Sequence, residues 1–86
     1  MASPLHVLTT PSQLGSILQA ARKAKGITQS TLAGRIGLSQ SRVSHLELNP
    51  HDLSLGQLLA WCSALGLELA VGARVDRTPS DMQADW

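Results

Sequence analysis

The most constraining feature of this sequence is the spacing of small and apolar residues within Gln29–Glu47. Ala33 is small enough for two helices to cross closely, and Gly37 suits the left-handed conformation that ends a helix before a turn. Apolar residues stand before, after and across that turn, at Leu32, Ile36, Leu38, Val43 and Leu46. Thr28 and Ser39 are placed to cap the two helices. The pattern predicts a helix-turn-helix motif.

Two further helices are predicted on either side of this motif. Thr10 precedes a helix from Pro11 to Lys25, and Ser54 precedes a fourth helix that ends at Gly66. The apolar stripe of the fourth helix is predicted to be Leu58, Leu59, Cys62 and Leu65. Because the chain has no Phe or Tyr, we expect a helical bundle with a core of Leu, Ile, Val and Ala.

The residue pattern changes period after the fourth helix. The apolar residues Leu67, Leu69 and Val71 alternate with Glu68, Ala70 and Gly72. Alternation predicts a half-buried strand, and one strand cannot satisfy its own backbone groups, so we expect it to pair with the same strand of a second copy. The expected organisation is an N-terminal segment (1–9), a helix-turn-helix domain (10–66), a dimerisation strand (67–73) and a flexible tail (74–86).

The charges are divided unevenly along the chain, although the net charge is only +1. No acidic residue precedes Glu47, whereas five basic residues do: Arg22, Lys23, Lys25, Arg35 and Arg42. A basic half gives a small protein a positive face that attracts phosphates. The alternative is an ordinary solvated surface.

The second helix of the motif carries the candidate DNA-reading residues. Its outward N-terminal positions are all polar: Ser39, Gln40, Ser41, Arg42 and Ser44. A Gln side chain makes a bidentate contact with adenine and an Arg side chain with guanine. Gln40 is therefore the first candidate for base readout, and Arg42 reads a base or holds a phosphate. A protein-interaction module without DNA binding is the alternative.

Candidate phosphate contacts surround these residues. Thr28, Gln29 and Ser30 lie at the positive end of the motif's first helix, and Lys25 and Arg35 supply charge. Capping alone accounts equally well for Thr28 and Ser39, and solubility for Lys25 and Arg35. Glu47 is the only acidic residue near the reading helix and would repel phosphate if unpaired. We therefore expect a structural ion pair between Arg22 and Glu47.

No group of residues predicts catalysis or metal binding. Ser44 and His45 are adjacent in a helix and point in different directions, and Cys62 lies on an apolar stripe. The His and Cys residues lack metal-ligand spacing. We expect a protein that is not an enzyme and has no cofactor. The chain has neither a secretion signal nor a run of about 20 apolar residues, which predicts an intracellular protein with no membrane partner.

The segment from Ser12 to Leu65 resembles the lambda-repressor, Cro and XRE class of helix-turn-helix domains. The matching residues are Arg22, Gly26, Thr28, Gln29, Leu32, Ala33, Gly37 and Glu47. A closer resemblance, to HipB-like antitoxins, extends over nearly the whole chain. It is carried by Pro11 to Leu14, Thr28 to Ser30, Ile36, Gly37, Gln40, Ser44, Asn49, Pro50, the single strand after Gly66 and a final Trp86.

The resemblance implies a mainly α, lambda-repressor-like bundle of four helices, plus one C-terminal strand that pairs across a homodimer. It implies a bacterial, cytoplasmic, nucleoid-associated antitoxin that binds a palindromic operator, represses its own operon and neutralises a HipA-like serine/threonine kinase toxin. By resemblance, Ser30, Ser39, Gln40, Ser41 and Ser44 contact DNA, and Trp86 binds the toxin. Ser39 replaces a basic residue of the family and Arg42 is added, so a different operator is expected. The alternative is a stand-alone dimeric XRE-type repressor.

Overall fold

Four α-helices and one short 3-10 turn form the secondary structure of residues 5–74, the range that this computed structural model describes. The helices are α1 (Pro11–Ala24), α2 (Gln29–Ile36), α3 (Gln40–Leu48) and α4 (Leu55–Leu65), and the 3-10 turn is Pro50–Asp52. The mainly helical, four-helix arrangement predicted from the sequence is confirmed. None of the helices within residues 5–74 is long and apolar enough to cross a membrane.

Local hydrogen bonds explain where the helices begin and end. The Thr28 hydroxyl accepts from the backbone N–H of Thr31 at 3.0 Å, which starts α2. The Ser39 hydroxyl accepts from the N–H of Arg42 at 3.1 Å, which starts α3. Gly37 has φ +73°, a left-handed conformation that is strained for other residues, and this ends α2 and turns the chain toward α3. The turn therefore has the chemistry that the sequence predicts.

The core forms where the inner faces of all four helices meet. Its fully buried side chains are Leu18, Leu32, Val43, Leu46 and Trp61, with Ala33 and Leu65 beside them. Trp61 has the largest of these side chains, so the expectation of a purely aliphatic core is wrong. The predicted stripe of α4 is also wrong at Leu59, which is 48% exposed. The buried face of α4 is instead centred on Trp61, Cys62 and Leu65, because the helix is rotated to bring its one large ring inward.

The segment after α4 forms no strand within residues 5–74. Leu67 and Leu69 are half-buried whereas Glu68 is exposed, which matches the predicted alternation, but Val71 is 96% exposed. A strand needs a hydrogen-bonding neighbour, and the described part of this single chain supplies none. The predicted strand 67–73 and its pairing across a homodimer thus stay predictions. Most of the predicted tail, including Trp86, lies outside the described residues.

Gly15 marks a close approach of α1 to the end of α3 and the 3-10 turn. This residue is buried in α1. A Cβ atom added there would lie 2.6 Å from the carbonyl oxygen of Glu47 and 3.1 Å from Pro50 Cγ. The first of these atoms belongs to the backbone and has little room to yield. A residue without a side chain is therefore required where α1 meets the end of α3 and the 3-10 turn.

We expect Gly15→Ala to destabilise the protein by about 1–3 kcal/mol, because the added methyl group overpacks a rigid contact. Gly34→Ala is the matched control, since Gly34 also lies inside a helix but has nothing within 4 Å of its would-be Cβ. This control should gain about 0.5–1 kcal/mol from the better helix former. Urea unfolding of the two variants measures both effects. Equal stability of the variants would contradict the close contact.

Candidate nucleic-acid interface

The start of α3 presents a row of exposed polar side chains. Ser39, Gln40, Ser41 and Arg42 are exposed, and Ser44 is half-buried one turn further along. Ser39 caps the helix through its hydroxyl, which also lies 3.3 Å from the Ser41 hydroxyl. We call residues 39–42 the polar end of α3. All four of its side chains are exposed to solvent, and Arg42 gives it one positive charge.

The N-terminus of α2 lies beside the polar end of α3. A shallow depression between them is lined by Gly26, Ile27, Thr28, Gln29, Ser30, Gln40 and the edge of Arg22. Neither α2 nor α3 has an acidic residue in its first turn. Two helix N-termini, each with partial positive charge, therefore meet at one surface with no carboxylate in the first turn of either helix. Such a surface favours an anion such as a phosphate.

Two of the predicted phosphate contacts lie apart from this depression. Lys25 packs against Gly66, where a Cβ atom would be 3.4 Å from Lys25 Nζ. That position is beyond the C-terminus of α4, where a helix dipole favours a cation. Arg35 is exposed in the last turn of α2, at the opposite end of that helix from Gln29. The structure thus groups Thr28, Gln29 and Ser30 with Gln40, and leaves Lys25 and Arg35 outside the group.

A buried ion pair lies directly beneath the depression. Arg22 Nε donates to Glu47 Oε2 at 2.7 Å, and a second guanidinium nitrogen donates to Glu47 Oε1 at 3.2 Å. The side chains are only 9% and 2% exposed. Arg22 also donates to the carbonyl oxygen of Ile27 at 3.0 Å. One guanidinium group therefore connects α1, the chain before α2, and α3.

Gln29 has a contact that the sequence reasoning missed. Its Nε2 donates to Glu47 Oε1 at 2.9 Å, and its Oε1 accepts from Gln40 Nε2 at 2.7 Å. Gln40 and Glu47 are seven residues apart, which is two turns of a helix and places both on one face of α3. This seven-residue spacing is the sequence pattern that could have indicated that Gln40 and Glu47 lie on the same face of α3. The sequence offered no comparable clue that Gln29 completes the link from α2.

A contact between His45 and Asp52 joins α3 to the 3-10 turn. His45 Nε2 lies 2.8 Å from Asp52 Oδ2, and both side chains are partly exposed. This hydrogen bond holds the pKa of Asp52 below its usual value. Asp52 is therefore engaged by α3 and by the nearby His51 ring. His45 has a structural partner.

Nothing in residues 5–74 has the geometry of a metal site, since no group of three or more His, Cys, Asp or Glu side chains comes together there. Cys62 is buried, and burial raises the pKa of its thiol. A protonated, buried thiol behaves as a small apolar side chain. Cys62 therefore belongs to the core, and the candidate site is the exposed polar end of α3 with the depression beside it.

Comparison with known proteins identifies the fold family. A family model described as helix-turn-helix matches residues 18–71, which is more than half of the chain. The chain belongs to this helix-turn-helix family. The matched range of this helix-turn-helix protein contains both helices of the motif, the Arg22–Glu47 ion pair and the whole of α4.

Curated relatives include two antitoxins named HipB. Antitoxin HipB of Escherichia coli O6:H1 is 34% identical to this helix-turn-helix protein over 62 residues, covering 72% of this chain and 66% of that relative. Antitoxin HipB of Escherichia coli K12 is 28% identical over 74 residues, covering 86% and 84%. An uncharacterised HTH-type transcriptional regulator of Sinorhizobium fredii is 37% identical over 57 residues, covering 66% of this chain but 29% of that regulator. The resemblance to HipB-like antitoxins is confirmed.

Solved structures agree with this assignment. A chain in a HipA–HipB–O2–O3 complex matches the helix-turn-helix protein with a TM-score of 0.73 and 29% identity, covering 80% of this chain and 97% of that one. A chain in a HipB–O1–O2 complex gives the same TM-score and identity, with 80% and 100% coverage. The four-helix bundle is therefore shared with these proteins.

We expect Arg22→Met to destabilise the protein by about 3–5 kcal/mol, because it leaves the buried Glu47 carboxylate without a counter-charge. The double variant Arg22→Met/Glu47→Met removes both charges and should be more stable than Arg22→Met alone. Thermal or urea unfolding of the two single variants and the double variant measures the coupling. If the two single losses simply add in the double variant, the pair contributes no coupling and this account is wrong.

Proposed function

We propose that this protein is a DNA-binding antitoxin: a homodimer that binds a palindromic operator, represses its own operon and neutralises a HipA-like serine/threonine kinase. The DNA-binding part of the proposal rests on the exposed polar end of α3, which lies beside the N-terminus of α2. Neither helix has an acidic residue in its first turn. The similarity to HipB antitoxins supports the remainder.

In this proposal α3 enters the major groove with its polar end first. A helix-turn-helix reads base edges with the N-terminal residues of its second helix, and those residues are Ser39, Gln40, Ser41, Arg42 and Ser44. Gln40 reads adenine, and Arg42 reads guanine or holds a phosphate. The N-terminus of α2 contacts the phosphate backbone through Thr28, Gln29 and Ser30. Lys25 and Arg35 lie outside the depression and contribute longer-range attraction.

The segment after α4 supports the homodimer part of the proposal. Leu67, Leu69 and Val71 alternate with polar or small residues, and the exposed Val71 side chain has no cover within the described chain. Pairing this segment with its copy about a two-fold axis satisfies the backbone and covers the apolar side chains. Two α3 helices then face successive turns of the major groove, which calls for a palindromic operator. Binding to the operator places the protein on DNA in the bacterial cytoplasm.

The antitoxin part rests on similarity and on the tail. A structure that contains both HipA and HipB matches this chain over 80% of its length. Trp86 is proposed to insert into the toxin surface, as Trp side chains are common anchors at interfaces. A stand-alone dimeric repressor is the second candidate, favoured by the likeness to the Sinorhizobium fredii regulator. Both candidates require the same DNA interface, and neither requires catalysis.

Substitutions in the polar end of α3 test DNA binding. We expect Gln40→Ala and Arg42→Ala each to weaken specific binding by about 1–3 kcal/mol, since each removes a base or phosphate contact. Gln19→Ala in α1, outside the depression, is the matched control and should leave the affinity unchanged. The operator is first selected by the wild-type protein from a library of random DNA duplexes. Fluorescence anisotropy with a labelled duplex of that sequence then measures the affinities. Equal binding by wild type and the Gln40→Ala/Arg42→Ala double variant would exclude readout by these residues.

Removal of Trp86 tests the antitoxin role. Tagged protein is recovered from its native cells at high salt, where binding to DNA is weak, and its partners are identified by mass spectrometry. We expect a stoichiometric kinase partner with the full chain, much less of it after deletion of Trp86, and an unchanged yield with the control Gln83→Ala. Recovery of the homodimer alone from every variant would favour the stand-alone repressor.

A further inference from the structure

The outward face of α3 carries one apolar side chain, that of Leu48. The inward direction of this helix is set by its buried residues Val43, Leu46 and Glu47. Ser41 and Leu48 lie on the opposite side, because they are seven residues apart and a helix with 3.6 residues per turn places them within about 20° of one line along its axis. Ser41 is exposed, and Leu48 is 77% exposed. Leu48 therefore shares the face of α3 that carries a proposed DNA contact.

The last turn of α3 is held in place around Leu48. Asn49 donates twice to the carbonyl oxygen of His45, from its backbone N–H at 2.8 Å and from its side-chain Nδ2 at 3.0 Å. The His45 ring, on the same side of the helix as Leu48, lies 2.8 Å from Asp52 Oδ2. These contacts fix the end of the helix, so the Leu48 side chain projects into solvent from a firmly placed backbone.

The position of Leu48, more than its exposure, points to a role. Among the large apolar side chains of the four helices it is the most exposed. A single exposed Leu is nevertheless common on protein surfaces. What distinguishes Leu48 is that Ser41 and Ser44, on the same side of the helix, are both proposed to read bases. When α3 lies in the major groove, Leu48 faces the DNA one turn beyond Ser44.

We propose that Leu48 contacts the C5-methyl group of a thymine in the major groove and thereby selects a T·A pair in the operator. This inference rests on the proposed DNA-binding function and adds to it a base preference set by an apolar contact. The thymine methyl is the one methyl group on the base edges, whose other recognition groups are hydrogen-bond donors or acceptors. A Leu side chain bonds to none of these, and covering one would leave it without a partner. Leu48 therefore favours thymine.

Helix geometry gives the place of this thymine in the operator. Leu48 is four residues beyond Ser44, a distance of about 6 Å along the helix axis. Successive base pairs are about 3.4 Å apart, so Leu48 lies about two base pairs past the pair that faces Ser44. The thymine preference is therefore expected in the same half-site, beyond the bases that Gln40 and Ser44 face.

Uracil in place of thymine tests the contact, because the two bases differ only in the C5-methyl group. Full-length wild type and Leu48→Ser first select from a library of random DNA duplexes. The thymine whose selection is lost in Leu48→Ser marks the position that Leu48 reads. The Kd is then measured for the selected duplex with thymine and with uracil at that position in one half-site. We expect uracil to weaken wild-type binding about fourfold, the effect of removing one buried methyl group, whereas Leu48→Ser should bind both duplexes alike.

Leu55→Ser is the matched control, because Leu55 is also an exposed Leu but lies in α4. It should keep the wild-type ratio of the two Kd values. Equal wild-type binding to the thymine and uracil duplexes would overturn the inference while DNA binding stands. The same holds if Leu48→Ser keeps the wild-type ratio, or if no selected thymine depends on Leu48. Folded wild type that selects no sequence would overturn both proposals.

A second measurement separates a DNA contact from a contact between two copies of the chain. Because Leu48 is exposed, Leu48→Ser should leave the unfolding temperature and the oligomeric mass of the DNA-free protein unchanged. Thermal unfolding and analytical ultracentrifugation measure these two quantities. A smaller oligomeric mass for Leu48→Ser would show that a second copy covers Leu48, and would overturn the thymine contact.

Discussion

Arg22 and Glu47 carry opposite charges into a core that is otherwise apolar, and each is tolerated there because the other is present. Burying two charges is costly, so the pair is not chiefly a source of stability. What it supplies is geometry, because one guanidinium group bonds to α3 and to the carbonyl oxygen of Ile27 just before α2. The relative positions of α1, α2 and α3 depend on this contact. So does the orientation of the proposed reading residues at the start of α3.

The bundle around this pair is small, and two residues compensate for its size. Trp61 is the largest of the fully buried side chains, so one residue occupies much of the space in the core. Gly15 lets α1 approach the backbone of Glu47 and the ring of Pro50 more closely than any side chain would permit. A domain of this length buries only about 60% of the surface that its unfolded chain exposes. The half-buried Leu67 and Leu69 suit the proposed extension of that core by a second copy.

The same arrangement keeps negative charge away from the proposed DNA interface. Glu47 is the first acidic residue in the sequence, and it is buried against Arg22. Asp52 is the next, and it is held by a hydrogen bond with His45. Within residues 5–74, the first turns of α2 and α3 therefore have no acidic residue, and the depression between them is lined mostly by polar side chains. A protein with a net charge of +1 thus presents a local surface suited to phosphate.

The sequence by itself determined the elements and the motif. The caps at Thr28 and Ser39, the turn at Gly37 and the apolar spacing are local properties, and short-range hydrogen bonds and backbone conformations decide them. Only the tertiary structure decided that Trp61 is buried while Leu59 is exposed, that Gly15 is a contact point, and that Gln29 joins Gln40 to Glu47. Those features depend on how each helix is rotated and how closely it approaches its neighbours. Such quantities arise from packing among residues far apart in sequence, which no local pattern encodes.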